Sequence, residues 1–141
     1  MNKATRLEDF KINIKIKLSA LWTSVIFCYI YGDYFELYVP GKTQGLVTGE
    51  NMLDSPLKLF GASVLLAIPA LMISLSIILK PRINRSLNIA TGIIFTAIML
   101  LVAVVSLTGW QTFYVFLAIV ESGITSLIAW YAWRWPKVVE E

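Results

Sequence analysis

Leu59-Phe60-Gly61-Ala62-Ser63-Val64-Leu65-Leu66-Ala67-Ile68-Pro69-Ala70-Leu71-Met72-Ile73-Ser74-Leu75-Ser76-Ile77-Ile78-Leu79 runs for 21 residues without a charge. A helix rises about 1.5 Å per residue, so roughly 20 apolar residues span the ~30 Å of bilayer hydrocarbon. Two further runs have the same character. Leu87–Trp110 carries no charge, and Trp110–Trp133 carries one, Glu121. Runs this continuous are not surface helices, which keep a polar face. The first run, Leu18–Tyr31, is shorter. It reaches spanning length outward through Asp33, Phe35 and Leu37, or inward through Ile16, Ile14 and Ile12. In the inward case Lys11, Lys15 and Lys17 snorkel to the headgroups.

Composition agrees with lipid as the solvent. The 141 residues are 57% hydrophobic and 15% charged, with a mean hydropathy of +0.72. A soluble chain is nearer about 45–50% apolar and about 25% charged, and a small domain cannot bury such an excess. The net charge of +3 does not indicate nucleic acid, because the bases cluster beside apolar runs. The chain has no histidine and a single cysteine, Cys28. The commonest general base, the commonest metal ligand and any intrachain disulfide are therefore missing. The expectation is a non-enzyme with no metal and no cofactor.

Helix signals predict four spans at about 16–38, 56–79, 86–107 and 109–134, with one outer loop at 40–55. They form a single membrane domain over 1–141. Ser55-Pro56 reads as an N-cap with proline at the first helical position. Lys80-Pro81 ends the second span. Ser86 or Asn84 is expected to cap the third, and Thr108-x-x-Gln111 matches a capping box for the fourth. Phe10–Leu18 alternates apolar and polar residues like a strand, but a lone strand in a membrane has no partner for its backbone. A helical or frayed segment is expected there. Short connectors force antiparallel neighbours. The predicted fold is thus an all-α integral membrane four-helix bundle, with the second helix kinked at Pro69.

Of the 12 Lys and Arg residues, all but Lys42 and Lys58 fall on one side. They are Lys3, Arg6, Lys11, Lys15 and Lys17, then Lys80, Arg82 and Arg85, then Arg134 and Lys137. The positive-inside rule puts both termini in the cytoplasm. Trp22, Trp130, Trp133 and Trp135 are expected at the inner boundary. Trp110, Tyr34, Tyr38 and Tyr114 are expected at the outer one.

Glu121 is the first candidate site residue. Counting from Thr108–Gly109 sets it roughly 18 Å deep, where a carboxylate exposed to lipid is expensive. It must face the bundle, be protonated, or both. Thr96 falls at the same depth as a hydrogen-bond partner, and Thr125 lies one turn further on the Glu121 face. The functional reading is a proton or cation site, or an anchor in a ligand pocket. The bland reading is a glutamate that ties helices together. Tyr29, Asp33 and Glu36 share one face of the first helix, so the two carboxylates could hold a cation at the outer mouth. The bland reading there is a solvated acidic turn. Pro69 opens space near the depth of Glu121, and Cys28 reads as a small buried hydrophobe. Pro40-Gly41-Lys42-Thr43 contains a GKT triplet, but a phosphate loop needs glycine where Glu36 stands.

Two stretches, Ile14-Lys15-Ile16-Lys17-Leu18-Ser19-Ala20-Leu21-Trp22 and Tyr31-Gly32-Asp33-Tyr34-Phe35 with Leu37-Tyr38-Val39-Pro40-Gly41, resemble an uncharacterised bacterial family of short four-span membrane proteins. Leu79-Lys80-Pro81-Arg82-Ile83-Asn84-Arg85 and Trp130-Tyr131-Ala132-Trp133-Arg134-Trp135-Pro136 look like its later signatures. The resemblance implies a four-helix membrane fold and a bacterial inner-membrane location, and no activity. A looser likeness to DoxX-type proteins rests on architecture alone. The small multidrug-resistance transporters place their membrane glutamate on the first helix, whereas Glu121 is on the fourth. The expected partners are the lipid bilayer and a small apolar or cationic ligand held between helices. The alternative is a structural subunit that packs against a membrane partner or a second copy.

Overall fold

The structure, a computed structural model, describes residues 9–137. Lys3 and Arg6 of the basic flank lie outside the described residues. The described chain is all-helical, in the order α1 (Ile14–Glu36), α2 (Lys42–Thr48), α3 (Pro56–Ile78), α4 (Pro81–Val105), a 3-10 turn (Gly109–Gln111) and α5 (Thr112–Trp133). Four helices are long and apolar enough to cross a membrane. Large apolar side chains cover their outer faces, with Leu57 80% and Ile78 73% exposed. In water that surface would be untenable, whereas in lipid it is the expected one. The bundle has two ends. The link end holds the start of α1, the α3–α4 link and the end of α5, and the loop end holds α2 and the α4–α5 turn.

Local rules set most boundaries. Asn13 caps α1, its side chain accepting from the Lys15 amide at 2.9 Å, so the alternating segment turns helical at Ile14. Ser55 caps α3 ahead of Pro56 as expected. The third span starts earlier than expected. Pro81 opens α4 directly after Lys80, because its fixed φ suits the first helical position. Asn84 and Ser86 are then inside the helix rather than caps. The Thr108 capping box does not form either. The Thr108 hydroxyl meets the Gln111 side chain at 3.2 Å, and a 3-10 turn precedes α5. The outer loop contains α2, bracketed by Gly41 and Gly49 at φ 83° and 81°, a left-handed conformation that suits glycine.

Lipid supplies no hydrophobic force between helices, so cohesion comes from close approach and internal polar contacts. α4 and α5 share the largest interface, α1 packs on both α5 and α3, and α3 with α4 makes the least extensive of these contacts. Gly92 is where α4 and α5 close up. A Cβ there would meet the Thr125 carbonyl oxygen at 3.0 Å and Ala129 at 3.1 Å.

At the link end, basic side chains bind helix C-termini, where the exposed carbonyls attract cations. The Lys15 amine donates to the Ile77 and Leu79 carbonyls at 3.0 and 2.7 Å. Arg85 donates to those of Ala132 and Trp133 and sits 5.8 Å from the Trp133 ring.

Trp22 corrects its expected place. It is fully buried in the core rather than at the boundary, edge-on to Phe95 at 6.1 Å. The reason is a polar network within the bundle. Trp22 Nε1 donates to Asn88 Oδ1 at 2.8 Å, and the Ser76 hydroxyl reaches the same oxygen at 3.3 Å. Asn88 Nδ2 donates to Asn84 Oδ1 at 2.6 Å, and Asn84 Nδ2 to the Ser76 carbonyl at 2.5 Å. These bonds tie α1, α3 and α4 together.

Gly92→Leu should lower thermal stability in detergent by about 1–3 kcal/mol, the usual range for overpacking. Gly123→Leu, at a position with open space around its Cβ, should leave stability nearly unchanged. Equal losses at both sites would contradict the packing described.

Candidate functional site

Buried positions on α5 recur as Ala118, Glu121, Ser122, Thr125, Ile128 and Ala132. That three-and-four spacing makes one inward stripe, and Glu121 is part of it. Its residue is 4% exposed. On α1 the inward stripe is Leu18, Trp22, Val25 and Gly32, and Tyr29 falls in register with it.

The two stripes meet a cavity of about 260 Å³ in the loop half of the bundle. Its polar lining comes from Tyr29 and Asp33 on α1 and from Tyr114 and Glu121 on α5. Its apolar lining includes Leu65 and Leu66 of α3 and Met99 and Val102 of α4, with Leu53 of the outer loop. No Lys or Arg is in the lining. Among the described residues, the Glu121 side chain has no hydrogen-bond or ion-pair partner. The Tyr29 hydroxyl is buried and likewise unpartnered. A buried carboxyl without a protein partner is rare and expensive in a membrane.

Pro69 frames the cavity. It lies inside α3 and is buried. From Pro56 to Ile68 every residue but Ala62 is exposed, whereas Met72 and Ser76 beyond it are buried. Pro69 has no N–H for the Leu65 carbonyl one turn earlier, and Leu65 is in the lining. On the loop side of Pro69 the helix is thus mostly exposed, and Ala62, Leu65 and Leu66 are its residues in the cavity lining.

The sequence-derived candidates divide. Glu121, Tyr29 and Asp33 are brought together around one space. Thr96 and Thr125 are not in its lining. Thr96 Oγ1 lies 2.8 Å from Thr125 Oγ1 and donates to the Gly92 carbonyl at 2.7 Å. Thr125 reaches the Glu121 carbonyl oxygen of the backbone at 2.9 Å, not the carboxyl. The two threonines thus belong to the α4–α5 interface that Gly92 makes close. Glu36 does not join Asp33 as a second cation ligand, because it is ion-paired with Lys42.

Cys28 and Tyr114 are in the lining, and sequence reasoning gave neither a role there. The seven-residue step from Tyr114 to Glu121 signals a shared face, whereas Cys28, adjacent to Tyr29 in the chain, has no such signal. Beyond the span, the hydroxyls of Tyr34 and Tyr38 are 2.7 Å apart. That hydrogen bond, followed by the nearness of the Tyr34 phenol, raises the Tyr38 hydroxyl above its ordinary pKa.

Four apolar helices around a largely apolar space with a few polar groups define a small multi-pass helical membrane protein. The chain belongs to a family of unknown function, DUF6326, which it matches over residues 6–140. No curated protein and no solved structure matches it.

Removing an unpartnered buried carboxyl should stabilise the fold. Glu121→Leu is expected to raise stability in detergent by about 0.5–2 kcal/mol, as at other strained functional positions. A clear loss of thermal stability would instead make Glu121 a structural tie between helices.

Proposed function

We propose that the protein is a membrane-embedded binder, and in the fuller form a transporter, of a small apolar or cationic ligand, with Glu121 as its polar anchor. The observation that carries this reading is the pairing of an unpartnered, buried Glu121 with a cavity that also takes in Tyr29 and Asp33. Groups left unsatisfied in a pocket are those a ligand satisfies. A purely structural glutamate would bond across helices, as Asn88 does here. Asp33, exposed in the last turn of α1, is the residue at the mouth. Thr96 and Thr125 support the α5 backbone beneath Glu121 rather than the ligand. We read the site as one that binds rather than catalyses because the chain lacks histidine, the commonest general base.

The setting is an inner membrane of a bacterial cell, with both termini cytoplasmic. The support is the bias of Lys and Arg toward the link end. A reactive tag at either end should then be labelled in inverted vesicles and protected in right-side-out ones. The opposite pattern would reverse the topology.

A second reading is a structural or assembly subunit of a larger membrane complex, or a homo-oligomer. The exposed stretch of α3 from Pro56 to Ile68 favours it. Native mass spectrometry from nanodiscs separates the two. The binder retains a small molecule that Glu121→Gln loses. A subunit instead retains a protein partner, with no dependence on Glu121. A cation and a proton also compete for the same carboxyl, so ligand retention should weaken as pH falls. Retention that ignores both pH and Glu121→Gln would exclude the anchor.

A further inference from the structure

We propose that the Glu121 cavity takes the primary ammonium group of a membrane-dissolved alkylamine, which enters from the bilayer between α3 and α4 on the loop side of Pro69. The inference rests on the binding reading above and adds to it the ligand's chemistry and its route.

The chemistry follows from what the lining lacks. Glu121 and Asp33 are acceptors when ionised, and Leu65 carries a carbonyl deprived of its usual donor by Pro69. The Tyr29 hydroxyl is free to serve either way. With no Lys or Arg among the lining residues, the complement is compact, positively charged and rich in donors. A primary ammonium offers three donors and no acceptor. A phosphate or carboxylate would face like charge with no base to hold it, which also excludes a phospholipid headgroup.

Size limits the body of the ligand. At about 30 Å³ per water-sized group, a cavity of about 260 Å³ holds roughly nine such groups. An ammonium with an eight-carbon chain is of that order, and its tail would lie against Leu66, Met99 and Val102.

The route follows from which walls are closed. The link half is filled by Trp22, Met72, Phe95 and Ile128 and bonded through Asn88. On the α3 side Leu65 and Leu66 line the cavity and are 41% and 40% exposed. α3 and α4 have a much less extensive contact than α4 with α5, α1 with α5 or α1 with α3, and Leu53 lies in the lining at the loop end. A hydrocarbon tail therefore passes between α3 and α4 without leaving hydrocarbon.

Cys28 serves as the reporter, because it is the single cysteine and lies in the lining. The full chain in nanodiscs is treated with methyl methanethiosulfonate, which modifies thiols and spares amines. Octylamine at about ten times its half-maximal concentration should slow modification roughly tenfold, as mass action requires. Octanol and methylammonium at matched concentrations should not. Glu121→Gln should abolish protection by octylamine. Leu66→Trp, which leaves the carboxyl in place and fills the gap, should delay the onset of protection.

Equal protection by octanol would overturn the ammonium site. Protection by methylammonium but not octylamine would overturn the membrane route while leaving Glu121 as an anchor. An unchanged onset in Leu66→Trp would overturn the gap between α3 and α4. If no compound protects, the ammonium inference fails. The anchor reading fails with it only if native mass spectrometry also shows no dependence on Glu121.

Discussion

In hydrocarbon a polar group that leaves water must find its partner inside the protein, and two apolar helices gain little by touching each other. That constraint shapes the molecule. Close approach at Gly92 gives α4 and α5 their van der Waals contact. The bonds among Trp22, Asn88, Asn84 and Ser76 draw α1, α3 and α4 together. Individual bonds of this kind in membranes are worth only about 0.6 kcal/mol on average. Their main contribution is to fix which faces meet. Against this background Glu121 and the Tyr29 hydroxyl stand out, buried polar groups without a partner among the described residues.

The two halves of the bundle have different physics. The link half is dense, its polar groups paired and its helix ends capped by Lys15 and Arg85. The loop half is loose, with exposed α3 turns and a cavity between helices. Pro69 stands at the division. It withholds one backbone donor within α3; the residues before it are mostly exposed, and Met72 and Ser76 beyond it are buried. One half thus holds the helices together, and the other carries the unsatisfied groups.

Much of the fold was legible because the signals that set it are local and additive. Long uncharged runs fix the number of spans, Ser55-Pro56 fixes the start of α3, and Lys80-Pro81 its end. What was not legible depends on pairing across helices. Trp22 reads as an interfacial aromatic from its position beside lysines, and only the facing Asn88 draws it inside. Asn84 reads as a cap until Pro81 opens the helix ahead of it. Asn84 and Asn88, four apart in an apolar run, were the available hint, since two amides in lipid require partners. Glu121, Tyr29 and Asp33 fall in one cavity lining, a grouping that counting depth and helical face along the chain makes readable. Thr96 was assigned to Glu121 by depth alone, which says nothing about rotation about the helix axis. Its hydroxyl turns to Thr125 instead.

The most direct test is a cryo-electron microscopy map of the protein in a lipid nanodisc, resolved well enough to show the Glu121 carboxyl and the space between α3 and α4. The account predicts non-protein density in that space within hydrogen-bond distance of Glu121, with α3 parted from α4 on the loop side of Pro69. It is contradicted if α3 is closed onto α4 and the Glu121 carboxyl is bonded to a side chain of the same or a second copy.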